Sequence, residues 1–168
     1  MRVFYFITLF LILWVFLAQG CMTFRTTDTI AKQRFSSRGV ELYTNSVWIN
    51  KHRIHYAKTG RDDRPTLLFI HGTPGSWDAF SEYMQDSILL SRYRMISVDR
   101  PGFGYSDFGK VYNLARQSEI LNEWMKTINN GKPVYLIGHS LGGPMIIKMT
   151  ADNPGPYKGL VIISGSLD

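Results

Sequence analysis

Val134-Tyr135-Leu136-Ile137-Gly138-His139-Ser140-Leu141-Gly142-Gly143-Pro144-Met145-Ile146-Ile147 is the stretch on which the fold turns. Residues 134–137 form a short, nearly continuous apolar run, as a strand covered on both faces requires. From about Leu141 the pattern changes to that of a helix, predicted to carry Ile146, Ile147 and Met149 inward and to end at Asn153-Pro154. Between the two lies Gly138-His139-Ser140-Leu141-Gly142. A serine at such a strand-to-helix turn is forced into a strained backbone conformation that lifts its hydroxyl clear of the sheet, and glycines two residues to either side leave space for a tight approach. Pro144 fits the first helical turn, where an N–H has no intrahelical partner. An isolated Gly-x-Ser-x-Gly is a weak signal. With a strand before it and a helix after it, the pattern makes Ser140 a candidate nucleophile.

Working outward, strands and helices alternate after residue 40, the signature of an α/β layer structure. Residues 47–58, with polar Asn50-Lys51 in the middle, read as a hairpin and place antiparallel pairing at one side of the sheet. The apolar runs 66–70, 94–98, 134–137 and 160–163 are predicted as the buried parallel strands. Trp77, Phe80, Met84 and Ile88 fall at helical spacing behind Ser76, a candidate N-cap. Leu114, Leu121, Trp124, Met125 and Ile128 do the same behind Asn113. The aromatic and methionine positions on these faces are expected to be core.

A second chemical signal ends the run 66–70: His71-Gly72-Thr73-Pro74-Gly75. Acyl transfer through a serine builds negative charge on the substrate's carbonyl oxygen, and two backbone N–H groups aimed at that oxygen stabilise it. The residue after the nucleophile supplies one and this loop the other, so Thr73 and Leu141 are the candidate donors. Pro74 has no N–H. The stretch Asp99-Arg100-Pro101-Gly102-Phe103-Gly104-Tyr105-Ser106-Asp107 contains a Gly-x-Gly, but no third glycine opening a helix and no Gly-Lys-Ser. It reads as a structural turn at the rim of the site.

These three landmarks, in this order, resemble the N-terminal half of an α/β-hydrolase-fold protein, from about Val47 to the last residue. The resemblance implies a mostly parallel central sheet with helices on both faces, with Ser140 as nucleophile, Thr73 and Leu141 in the oxyanion hole, and His71, Gly72, Gly138 and Gly142 holding the two turns. Epoxide hydrolases and haloalkane dehalogenases share the His-Gly-x-Pro form but use aspartate where this chain has Ser140. In the family order an acid and then a histidine follow the nucleophile. Here His52, His55, His71 and His139 all precede Ser140, and only Asp152 and Asp168 follow it. His139 is expected to be a packing residue and His71 to stabilise its loop, with His52 and His55 exposed on the hairpin. Asp152 lies at the far end of its helix, out of reach. Asp168 is a weak candidate acid. The chain is therefore expected to be a piece of the fold, cut after about the sixth strand, with its acid, histidine and lid beyond residue 168.

The first twenty residues are of another kind. Arg2 is the only charge before Arg25, and residues 3–18 are apolar apart from Thr8, the pattern of a signal peptide. Leu17-Ala18-Gln19-Gly20-Cys21 resembles a bacterial lipoprotein box, which would make Cys21 a lipidated new N-terminus; the alternative is an uncleaved anchor. Residues 1–20 are thus read as signal, 21–38 as a polar tether or linker and 39–168 as the incomplete hydrolase domain. Both readings of the N-terminus put the protein in the cell envelope beside a membrane.

Length and composition narrow the rest. The chain has 168 residues, 45% apolar and 19% charged, with a single cysteine, so a packed domain is expected and an internal disulfide or a cysteine-rich zinc site is not. The formal charge is +6, but the basic residues are scattered, and no nucleic-acid partner is expected. No cofactor or metal is implied. Two functions remain open: a membrane-tethered serine hydrolase taking a small-molecule ester, thioester or amide, or a non-catalytic lipoprotein using the scaffold for binding. Within the first, an esterase or lipase leads over an aminopeptidase-like or C–C bond hydrolase.

Overall fold

The computed structural model describes residues 2–21 and 25–165. Six strands form one sheet in the order β1-β2-β4-β3-β5-β6. β1 (Tyr43–Ile49) and β2 (His52–Thr59) are the predicted hairpin, antiparallel and turned by Asn50 and Lys51, both at positive φ. β2 also runs antiparallel to β4 (Arg94–Val98), while β4, β3 (Thr66–Ile70), β5 (Val134–His139) and β6 (Tyr157–Ile163) are mutually parallel. The C-terminal ends of β3, β4 and β5 therefore lie together, and the loops they release share one end of the sheet.

The alternation of side chains along each strand sends alternate residues to opposite faces, and each face has its own core. Leu68, Ile70, Ile96, Val98 and Leu136 pack against α4 (Leu114–Ile128) and α5 (Gly142–Asp152), through Leu121, Trp124, Met145, Ile146 and Met149. Phe69, Met95, Ala57 and Ile137 point the other way, onto Trp77, Phe80, Met84, Ala31 and Phe35. α4 begins as predicted at Asn113, whose side chain accepts from Arg116 N. Ile147, read as inward, is instead exposed.

Three further expectations about the fold are corrected. The helix predicted behind Ser76 is not continuous: 3-10 turns at Trp77–Phe80 and Tyr83–Gln85 are followed by a short α3 (Ser87–Arg92). Asp86 is extended and caps Leu89 N with its side chain, which breaks the run and leaves Ile88 exposed. Trp77 and Phe80 still reach the core, because a spacing of three suits a 3-10 turn, and Met84 reaches it from the second turn.

The stretch read as a polar tether contains α2 (Asp28–Ser37), capped by Thr27, with Ala31 and Phe35 buried in the second core. Its two apolar anchors, four residues apart, were hidden among polar neighbours. The third correction concerns His55, which is buried rather than exposed, because residues 99–106 fold over β2: Asp99 N donates to His55 O and His55 N donates to Ser106 Oγ. His52 is half-buried between Asp107, Tyr112 and Arg116.

α1 (Arg2–Cys21) is helical, and its described side chains, from Phe4 to Val15, are exposed. That described stretch is not by itself long and apolar enough to cross a membrane. The side chain of Cys21 and the whole of Asp168 lie outside the described residues.

Candidate active site

The turn from β5 into α5 puts Ser140 at φ +52°, the left-handed region that an L-residue enters only at a cost of about 1–3 kcal/mol. Two backbone bonds hold it there. Ser140 N donates to Ile163 O at 3.0 Å, tying the turn to β6, and Gly143 N donates to Ser140 O at 2.9 Å. The seryl residue is partly exposed, and its hydroxyl has no hydrogen-bond partner among the described residues.

The loop after β3 lies against it. A Cβ on Gly72 would sit 2.8 Å from Ser140 Cβ and 3.3 Å from its Oγ, so only a glycine lets this backbone pass the serine so closely. Gly142 makes the reciprocal approach, its position being 2.1 Å from Ile70 O for a Cβ, and Gly138 faces the Gly142 carbonyl in the same way. The predicted glycines thus bring the two loops into contact. Among the described residues, neither Thr73 N–H nor Leu141 N–H has an acceptor.

The rest of the loop is held from Arg100. His71 is fully buried; its Nδ1–H donates to Gly72 O at 2.7 Å and its Nε2 accepts from Arg100 N at 3.0 Å. Those two bonds fix one neutral tautomer. Burial, with the Arg100 charge beside it, pushes the His71 pKa down from 6.5 to about 4. The Arg100 guanidinium donates to Gly72 O at 3.1 Å and to Thr73 Oγ1, and lies on the Phe103 ring. Burial lowers its pKa to about 10, which still leaves it charged at neutral pH. Arg100 is the residue that motif reading missed as a support of the site. The Asp-Arg step after an apolar strand was the available signal.

The remaining predicted positions separate. His139, expected to pack, is exposed, because it sits at the end of β5 where the strand leaves the layer. Asp152 is far down α5, bound by Ser118 Oγ and Lys148 Nζ. None of His52, His55 and His71 is free to serve Ser140, since each is engaged elsewhere. Among the described residues, no group of three or more His, Cys, Asp or Glu is placed to hold a metal.

The state of His71 sets a pH dependence. The unfolded chain takes up its proton near pH 6.5 and the folded protein only near pH 4, so this contribution is complete above 6.5 and is lost as the pH falls toward 4. The difference is worth about 3 kcal/mol. Denaturant titrations at pH 7 and pH 4 are expected to show a loss of that order, and His71→Gln, which can still accept from Arg100 N, is expected to remove it. Equal acid sensitivity in the variant would rule out His71 as its source.

A serine held at positive φ between a parallel strand and a helix, against a second glycine loop at the same end of the sheet, defines a nucleophile-elbow protein of the α/β layer class. The chain belongs to the alpha/beta hydrolase fold family, whose sequence profile matches residues 65–168. It is 30% identical over 100 residues to epoxide hydrolase 1 of Caenorhabditis elegans, a match covering 58% of this chain and 24% of that protein. A lipase candidate from Acinetobacter baumannii AYE superposes with a TM-score of 0.72 at 27% identity, over 82% of this chain and 46% of that one. A membrane phospholipase A described as a bacterial virulence factor gives 0.68 at 26% identity, over 99% of this chain and 53% of that one. The chain thus spans about a quarter to half the length of these relatives.

Proposed function

We propose that the protein acts as a membrane-tethered serine hydrolase of esterase or lipase type. The observation that carries this reading is the placement of Ser140: strained to positive φ, partly exposed, and packed on Gly72 beside the Thr73 and Leu141 amides. Ser140 Oγ attacks the ester carbonyl while its proton passes to a histidine. The carbonyl oxygen, now negative, is held by the two N–H groups, and the alcohol leaves with the proton. Water then takes the acyl group from the serine. None of the four histidines of this chain is given that role, because His52, His55 and His71 are engaged elsewhere and His139 is adjacent to the serine on a strained turn.

The likeness to the phospholipase structure extends over 99% of this chain, the segment before β1 included, and supports both the ester class and the membrane tether. Ser140 sets the chain apart from the aspartate chemistry that the epoxide hydrolase resemblance implies.

The test is labelling of the intact protein with a fluorophosphonate. Wild type is expected to label and Ser140→Ala to lose the label entirely; equal labelling of the two would overturn the assignment.

A further inference from the structure

The segment that leaves the proposed membrane anchor is fastened to the active-site end of the domain. Arg25 Nη1 donates to Gly104 O at 3.0 Å, and its guanidinium lies 4.7 Å from the Tyr105 ring centre and 4.9 Å from that of Phe108. Thr26 Oγ1 donates to Asp78, and Asp28 accepts from Thr44 Oγ1 and faces the buried His55 Nε2 at 3.3 Å. From there α2 is anchored in the core by Ala31 and Phe35. Residues 25–28 are thus fixed to the body, with bonds to three different parts of it.

The loop that Arg25 grips follows β4, and β3, β4 and β5 are parallel, so this loop opens at the same end of the sheet as Ser140. Arg100, in the same loop, touches Gly72 and Thr73 directly. Only four peptide units separate Cys21 from Arg25, and a chain of that length reaches no more than about 14 Å. Whether the attachment is a lipidated Cys21 or the apolar helix that ends there, its last residue lies within that reach of Arg25, whose side chain grips the active-site rim. A free tether running to Arg38 would have let the domain turn over; a leash this short does not.

The rim itself fits a lipid surface. Phe108 is 53% and Val111 98% exposed, Leu114 follows them at 38%, and Lys110, between Phe108 and Val111 in the sequence, is ion-paired with Asp107 at 3.3 Å. Exposed apolar side chains, with the Arg25 guanidinium on the Phe108 ring and Lys110 next to Val111 in the chain, suit the boundary between headgroups and acyl chains.

We infer that residues 25–28 act as a clamp turning the Ser140 end of the sheet onto the bilayer, with Phe108 and Val111 entering the headgroup layer. The substrate is then an acyl ester resident in that membrane rather than one free in solution. This rests on the membrane-tethered serine hydrolase reading and adds to it a docking face and a substrate source.

The experiment places a photoreactive benzoylphenylalanine at Val111 or, as a control, at Asp63, in the turn before β3 at the opposite end of the sheet. Each full-length chain is reconstituted in vesicles of phosphatidylethanolamine and phosphatidylglycerol, separated by flotation and irradiated. Lipid adducts are expected at position 111 and none above background at 63. Arg25→Ala is expected to float equally well while the adduct at 111 falls several-fold. Adducts of equal yield at 111 and 63, or at neither, in chains that float would overturn the docking face and leave the tether standing. Failure to float would overturn the tether and this inference together. The pattern does not depend on Ser140 reactivity, so failure of the serine assignment registers in fluorophosphonate labelling and not here.

Discussion

Asp99→Ala is expected to lower the unfolding free energy by about 3–5 kcal/mol, because it removes a buried carboxylate that accepts from three groups. Asp99 has no exposed surface. Its Oδ1 accepts from Trp77 N at 2.7 Å, while its Oδ2 accepts from Tyr105 N at 2.8 Å and meets His55 Nδ1 at 2.9 Å. One carboxylate therefore joins the turn at Trp77, the loop after β4 and the hairpin. Alanine leaves two backbone N–H groups and an imidazole without their acceptor in a site closed to water, and each orphaned group costs about 1–3 kcal/mol. Trp77, fully buried beneath it, would lose its fixed backbone as well. Equilibrium denaturation of wild type and variant measures the effect. A loss below about 1 kcal/mol, the net worth of one ordinary hydrogen bond, would show that the three segments are held by other contacts.

Gly142→Ala is expected to slow fluorophosphonate labelling of Ser140 by roughly a hundredfold while the fold persists, since a displacement near 1 Å at a reacting group costs about that much. The new Cβ would stand 2.1 Å from Ile70 O and 3.1 Å from His71 O. Both neighbours are backbone at the end of a central strand, so neither can swing aside as a side chain tip would. The elbow must move away from β3 instead. That motion separates Ser140 from Gly72 and the Leu141 amide from the Thr73 amide, which are the distances the proposed chemistry needs. Labelling rates of the intact protein, with circular dichroism to check folding, decide the matter. An unchanged rate would mean that the approach of the two loops does not govern Ser140.

Much of the fold was legible in the chain because the central strands are covered on both faces and so announce themselves as uninterrupted apolar runs. The strand-to-helix turn at Ser140 and the loop at His71 were legible for a different reason: close backbone approach admits only glycine, and glycine spacing is written in the sequence. The second face of the sheet was harder to read. α2 contributes only Ala31 and Phe35 to it, too few to rise above a polar, threonine-rich background. The break in the helix predicted behind Ser76 depended on one capping side chain, Asp86, against a periodicity that 3-10 turns satisfy equally.

The parallel α/β layer, the order of its three loops and the serine that stands at the crest of β5 were all readable from the linear chain, since each follows from local periodicity or from glycine sterics. Three contacts were visible only once the chain had folded: His55 buried on Asp99, Arg100 holding the loop after β3, and Arg25 fastening the N-terminal segment to the loop after β4. Those contacts join residues 28 to 79 positions apart, and no periodicity in a linear chain encodes which distant polar groups meet once the strands have aligned.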